Sequence, residues 1–260
     1  MDQNKWALIT GASSGIGMAL AFRFAKEGWH LVLVARDAAR LSALSEIIES
    51  DFCVRTFVIK KDLTLPDAPK EIFNQLDLNG IRIDALINNA GAGVCGLFSY
   101  MPDEPISQMV HLNVLAVTSL SKLAVQHMSQ TGGGSILNVA STGSYQPGPY
   151  IAVYYATKAY VLSFSQALRK ELKKTGIEVS TLCPGSTATE FSKRAGKADI
   201  KGAMSPDQVA NCAYKGLMKG KAVIIPGARN KFFIVVSKLL PGSVSAAIVA
   251  RIQRKLTESF

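Results

Sequence analysis

Three side chains in this sequence are spaced so that together they could move a proton. Tyr154 and Lys158 are four residues apart, so on a helix they share one face, one turn apart. Ser141 lies thirteen residues before Tyr154, at the end of an apolar run that reads as a strand. A strand end, a loop and a helix would bring a hydroxyl, a phenol and an ammonium together. A phenol titrates near pH ~10, too high for a base at neutral pH. An ammonium about 4 Å away favours the phenolate by ~4 kcal/mol at an effective dielectric of ~20, equivalent to roughly three pH units. On that basis Tyr154 becomes a general acid and base, and Ser141 holds a substrate oxygen by hydrogen bond. Tyr-x-x-x-Lys is also an ordinary amphipathic helix face, so the two readings must be weighed with the rest of the chain.

The elements that would position these groups alternate. Residues 5–10 read as a short buried strand running into Gly11-Ala-Ser-Ser-Gly15-Ile-Gly17 and then a helix to about Gly28. A glycine-rich turn between strand and helix lets the backbone approach a pyrophosphate, and the helix N-terminus attracts its charge. Residues 31–35 form a second strand, at whose end the ribose of an adenine dinucleotide should lie. Arg36 there suits a 2′-phosphate, which indicates NADP. Asp37 more plausibly caps the helix from Ala38. Residues 54–59 make a third strand, followed by Asp62-Leu63, with a helix opening at Pro66 and ending near Gly80.

A fourth strand, 83–87, leads into Asn88-Asn89-Ala90-Gly91, where small residues permit close approach of a ligand and side-chain amides can tie strands together. A long helix, 104–130, contains Asn113. A fifth strand, 135–140, delivers Ser141, and the helix carrying Tyr154 and Lys158 runs to about Lys174. A sixth strand, 177–183, precedes Pro184-Gly185-Ser-Thr187-Ala-Thr189. Ser205-Pro206 reads as a helix cap with a first-turn proline, and residues 222–225 give a seventh strand. This alternation predicts an α/β fold: a doubly wound, seven-stranded parallel sheet of Rossmann type with helices on both faces. The ligand-binding edge is the one at the strands' carboxyl ends.

The 260 residues are 48% hydrophobic and 18% charged, enough for a sizeable core and too apolar for disorder. The net charge of +10 invites anionic partners. Four cysteines, Cys53, Cys95, Cys183 and Cys212, and three scattered histidines show no metal-ligand or disulfide spacing. No metal is therefore expected, and reduced thiols suit a cytoplasmic setting. No signal peptide and no run of membrane-spanning length are read; the longest candidate, 232–250, is broken by Lys238 and Pro241. The lysines and arginines are dispersed without an aromatic-interleaved stripe, which argues against nucleic acid. Lys193, Arg194, Lys197 and Lys201 do cluster, either to meet an acidic substrate group or as a solvated face.

Thr10-Gly-Ala-Ser-Ser-Gly-Ile-Gly17, Asn88-Asn-Ala-Gly91, Asn113, Ser141, Tyr154-Tyr-Ala-Thr-Lys158 and Pro184-Gly185, in this order, resemble the motif set of the short-chain dehydrogenase/reductases over residues 5–225. The resemblance implies an NADP(H)-dependent oxidoreductase passing hydride between nicotinamide and a carbonyl or secondary alcohol. The contrasting reading is a non-catalytic NADP(H)-binding sensor or scaffold on the same fold. The resemblance implies Tyr154 as acid/base, Lys158 lowering its pKa and binding the nicotinamide ribose, Ser141 orienting the carbonyl, and Asn113 holding a relay water. It also implies Gly11, Ser13, Ser14, Gly15, Ile16 and Gly17 along the pyrophosphate and Asp62 and Leu63 by the adenine. Asn89, beside Ala90 and Gly91, would lie on the adenosine ribose side, with Thr187 and Thr189 at the nicotinamide end. A homodimer or homotetramer is the family habit.

One domain is expected over 1–260, with 227–260 as a C-terminal helical extension. Val244, Ile248, Val249, Ile252 and Leu256 fall on one helical face, with Arg251, Arg254 and Lys255 opposite. This tail resembles that of the family branch near the 17β-hydroxysteroid dehydrogenase-like and ketone reductases. It suits a lid over an apolar pocket, a dimer contact, a membrane-surface helix or packing on its own domain; own-domain packing or the dimer contact is favoured. Val94, Leu97 and Phe98 suit either the pocket wall or the core.

Overall fold

The computed structural model describes residues 5–191, 195 and 202–257, with the side chains of 255–257 outside that description. The basic positions Lys193, Arg194, Lys197 and Lys201, and the side chains of Lys255 and Leu256, lie outside the described residues. Seven parallel strands form one sheet: β1 (Trp6–Thr10), β2 (His30–Ala35), β3 (Thr56–Lys60), β4 (Ala85–Asn88), β5 (Gly134–Val139), β6 (Ile177–Leu182) and β7 (Val223–Ile224). Their order is β3-β2-β1-β4-β5-β6-β7. Among the described residues the α-helices are α1 (Gly15–Lys26), α2 (Ala38–Phe52), α3 (Ala68–Leu78), α4 (Asp103–Val110), α5 (Val117–Gln130), α6 (Ala152–Glu171), α7 (Pro206–Met218), α8 (Ala228–Leu239) and α9 (Gly242–Thr257).

Strands buried on both faces read as unbroken apolar runs, because successive side chains feed opposite cores. Ala7, Ile9, Leu31 and Leu33 pack with Leu20 and Phe24 of α1 and Val209 of α7. Leu8, Val32, Val34 and Leu86 point the other way, against Ile72 of α3 and Leu120 of α5. Each such leucine or isoleucine contributes about 1.5–3 kcal/mol on burial. The chain's direction of winding reverses between β1 and β4, which open a crevice beyond their carboxyl ends.

Several boundaries differ from expectation for local reasons. Helix α3 starts at Ala68, not Pro66: Asp62 Oδ1 accepts from Thr64 N (2.9 Å) and Thr64 Oγ1 (2.8 Å), which holds the segment before Pro66 in a turn. The long helix expected over 104–130 is continuous but passes through a wide π turn, His111–Ala116, that joins α4 to α5. Capping follows the sequence elsewhere. Asp37 accepts from Arg40 N (3.0 Å) at the start of α2, and Ser205 and Gln208 form a reciprocal capping box at α7.

The C-terminal segment is two helices, broken at Pro241. Of the expected apolar row of α9, Val249 is buried, whereas Val244, Ile248 and Ile252 stand about half exposed, and the polar Ser245 and Gln253 are buried beside Val249. Helix α8 packs against the segment after β5, where Lys238 Nζ lies 4.9 Å from the Tyr145 ring centroid. Among the described residues no helix is long and apolar enough to cross a membrane.

Candidate active site

The crevice at the switch point is continuous, about 1630 Å³ in volume, and reaches from Arg36 beyond β2 to Gln253 on α9. Its floor is the turn between β1 and α1. Gly11 (φ +65°) and Gly15 (φ +57°) adopt left-handed backbone there. Gly17 is a correction to the expected pyrophosphate wall, since it stands behind the crevice rather than on it. A Cβ at Gly17 would come 2.2 Å from Gly11 O and 2.5 Å from Asn89 Nδ2, so its glycine serves close packing of helix on loop. Gly11, Ser13, Ser14, Gly15 and Ile16 do line the crevice. Asn89 Nδ2 donates to Thr10 O (2.9 Å) and Gly11 O (3.3 Å), tying the end of β4 to this turn beside Ala90 and Gly91.

At the far end Arg36, Asp62 and Leu63 line the wall, with Arg40 and Lys61, which were not singled out from the sequence. Arg36 Nη1 lies 3.9 Å from Asp62 Oδ2, and its side chain is 69% exposed, so it can swing onto a ligand. Arg40 is engaged by Glu190 (3.1 Å), which raises its pKa by hydrogen bond and charge. Thr187 and Thr189 line the opposite rim, after β6.

The proton-handling groups meet at the other end. Ser141 opens a short 3₁₀ turn, Thr142–Tyr145, and its Oγ accepts from Gly143 N (3.1 Å). Ser144, which the sequence did not single out, locks this turn to α6 by donating from Oγ to Lys158 O (2.8 Å). Ser141, Tyr154 and Lys158 all line the crevice, and the Ser141 hydroxyl stands close enough to the Tyr154 phenol to favour its ionised form. Lys158 Nζ lies 5.8 Å from the Tyr154 ring centroid and donates to Val139 O (2.8 Å). Phe191 covers Tyr154, with ring centroids 5.4 Å apart.

Asn113 is fully buried behind the crevice rather than on its wall. The π turn aims its amide across the loop: Oδ1 accepts from Ala92 N (2.9 Å), and Nδ2 donates to Ala92 O (2.8 Å) and Thr157 Oγ1 (3.0 Å). Such wide turns recur at functional sites. Asn113 Oδ1 and Lys158 Nζ flank Gly91, lying 3.2 Å and 3.3 Å from where its Cβ would be. Of the three apolar candidates, Val94 lines the crevice, whereas Leu97 and Phe98 are surface residues, 53% and 63% exposed.

Electrostatics reverse one expectation. The sequence suggests that Lys158 draws the Tyr154 phenol down; instead burial holds the phenol above its ordinary range, with the nearby Ser141 hydroxyl pulling it partly back. Burial also lowers Lys158 from 10.5 to about 8. Both groups are out of water, and each charged form is disfavoured there.

A phenol, a serine and a lysine stand at the carboxyl edge of a parallel sheet, on the wall of a crevice floored by a glycine-rich turn. The short-chain dehydrogenase family model matches residues 5–199, and the chain belongs to that family. It is 35% identical over 198 residues to 17-beta-hydroxysteroid dehydrogenase type 3 of Rattus norvegicus, covering 74% of this chain and 63% of that protein. The chain thus spans 61–63% of the length of the curated relatives it matches first. Among solved structures, a short-chain dehydrogenase from Sphingobium yanoikuyae in complex with NADPH is 36% identical with TM-score 0.82, covering 89% of this chain and 92% of that one. A bulky-bulky ketone specific alcohol dehydrogenase from Comamonas testosteroni is 34% identical with TM-score 0.77, covering 90% and 92%.

Proposed function

We propose that this protein is an NADP(H)-dependent oxidoreductase acting on a carbonyl or secondary alcohol. The observation that carries the reading is the meeting of Ser141, Tyr154 and Lys158 on the wall of the glycine-floored crevice. The residues present fit the cofactor: left-handed Gly11 and Gly15 leave backbone open to phosphate oxygens, and 1630 Å³ exceeds the roughly 300–1,000 Å³ of an ordinary small-ligand pocket. A similar chain was solved with NADPH. When bound, the nicotinamide gives or takes the hydride. Ser141 Oγ and Tyr154 Oη hold the substrate oxygen, and Tyr154 donates the proton to it. A phenol held above its ordinary range is protonated at neutral pH, the form that serves carbonyl reduction. With the cofactor bound, Lys158 would hold the nicotinamide ribose, and Asn113, buried across Gly91 with its amide bonded to Ala92 and Thr157, would border a proton path through water.

The deciding experiment follows NADPH absorbance over a panel of ketones, aldehydes, sugars and acyl thioesters. Turnover of a ketone is expected. NADPH binding without turnover of any compound would leave a non-catalytic nucleotide binder.

For the adenosine end, Arg36 receives the 2′-phosphate. Arg36→Ala is expected to weaken NADPH about tenfold, the lower end for a charge-assisted bond because Arg36 is exposed, and to leave NADH nearly unchanged. Fluorescence titration of both cofactors checks this, and equal losses would contradict it.

Copies associate through α5 and α6. Their outer face carries Leu115 just before α5, 50% exposed, and Tyr160, 38% exposed and stacked on Phe164 with centroids 5.7 Å apart. Tyr160→Glu would put a carboxylate in that contact, at a cost of about 3–5 kcal/mol, roughly 10²–10⁴-fold in association. Light scattering should show the oligomer of the parent protein and a smaller species for the variant.

A further inference from the structure

Two consecutive tyrosines stand in the first turn of α6, and proton handling takes up Tyr154 alone. Neighbours on a helix point about 100° apart, so Tyr155 cannot share that place. Its ring is wedged against two loop glycines instead. A Cβ at Gly143 would come 2.9 Å from Cε1 and Cζ of the ring, and one at Gly148 would come 2.4 Å from Cγ and Cδ2. Neither glycine has a left-handed backbone that would call for glycine on its own account. At both positions it is the Tyr155 ring that leaves no room for a side chain.

The Gly143 contact reaches the reacting groups in two steps. The three atoms nearest to a Cβ at Gly143 all belong to this ring. The N–H of Gly143 in turn donates to Ser141 Oγ (3.1 Å). Ser141 Oγ thus accepts from the backbone, and its own O–H is left to donate. The ring is itself held in place. Gln253 Nε2 on α9 donates to Tyr155 Oη (3.3 Å), and the Tyr154 ring lies beside it with centroids 6.1 Å apart. Other bonds anchor the residues on either side of Gly143: Thr142 N donates to Pro184 O (2.9 Å), and Ser144 Oγ to Lys158 O (2.8 Å).

We propose that Tyr155 is the positioning residue of Ser141: its ring is the surface on which Gly143 rests, and through the Gly143 N–H it aims the Ser141 hydroxyl at the substrate oxygen. The paired tyrosines then divide the work. One phenol handles the proton, and the neighbouring ring places the serine that shares the substrate oxygen with it. This rests on the reductase reading above.

Ser141→Ala, made in several backgrounds, tests it, with kcat, KM and NADPH affinity measured on one accepted ketone. In the parent protein Ser141→Ala is expected to lower kcat about 10- to 100-fold, the worth of a hydrogen bond to developing charge. Tyr155→Phe keeps the ring and should hold kcat within about threefold of the parent. Tyr155→Leu removes the surface and should lower kcat about tenfold, with KM and NADPH affinity within about twofold. In that background Ser141→Ala should cost less than about threefold, because the two changes break one linkage. Gly148→Ala presses on the ring from the next loop and leaves the Ser141 turn untouched. It gives a second background in which the same blunting is expected, should Tyr155→Leu fail to fold. A full Ser141→Ala cost in either background would overturn the assignment. So would a kcat loss in Tyr155→Phe as large as that in Tyr155→Leu, which would give the effect to the hydroxyl. Losses confined to KM or to NADPH affinity would overturn it as well. If the parent protein reduces no ketone of any kind, the reductase reading itself falls.

Discussion

Tyr154→Phe should cost about 10²–10⁴-fold in kcat/KM for ketone reduction while NADPH still binds. The magnitude is that of a positioned general acid. Only the oxygen is removed: the ring keeps its contact with Phe191, and α6 keeps its anchors through Thr157 and Ser144. The residual rate measures what the crevice supplies by holding two reactants together. Stability should scarcely change, since the phenol is on the crevice wall and the deleted group leaves a small polar gap beside Ser141. Steady-state kinetics and an NADPH titration on the same preparation separate the two effects. A variant that reduces ketones at the parent rate would remove Tyr154 from the reaction. Tyr155 provides an internal contrast: its hydroxyl meets Gln253 on α9, so Tyr155→Phe should alter substrate preference without abolishing turnover.

What the sequence makes legible is set by how local each cause is. The sheet could be read because its central strands are apolar runs buried on both faces and strand alternates with helix along the chain. Asp37 and Ser205 could be read because a cap acts within one turn of itself. The crevice residues from Gly11 to Ile16 follow from a turn whose backbone conformation needs glycine. Gly17, by contrast, looks the same in sequence, and only the 2.2 Å that a Cβ there would leave to Gly11 O separates packing from lining. Asn113 looks like any polar residue in a helix until the π turn and Ala92 supply its partners. The burial of Ser245 and Gln253 could not be read from periodicity, because each stands one residue, or about 100° of helix, from a member of the apolar stripe that is itself about half exposed. Gln253 and Tyr155 are linked across 98 positions of sequence, which no local pattern encodes.

The sign of the electrostatics was hidden for the same reason, and Lys158 tests it. Spacing alone places a cation one turn from the phenol and so suggests a stabilised pair of charges. Burial of both groups adds a desolvation cost that spacing does not reveal. In the folded protein Lys158 titrates near 8, against 10.5 unfolded. Between those values the unfolded chain holds the proton and the folded one does not, so this group's contribution to stability rises with pH through that window. At neutral pH the buried ammonium therefore costs about 3 kcal/mol. Lys158→Met removes that cost and forfeits the hydrogen bond to Val139 O, worth about 1–2 kcal/mol. The cofactor-free variant should be more stable than the parent at pH 7 by about 1–2 kcal/mol, a few degrees in Tm. The difference should shrink as pH climbs from 8 towards 10. Ketone reduction should fall by at least ~10²-fold, because the ribose contact and the charge beside Tyr154 are both lost. In the parent protein kcat/KM for reduction should decline as pH rises through about 8, where the ammonium is lost, and the variant should lack that limb. Thermal unfolding at two pH values and a pH–rate profile decide the matter. A variant less stable than the parent at pH 7 would mean that the lysine is held there for structure, and a parent profile flat from pH 7 to 9 would detach its charge from the chemistry.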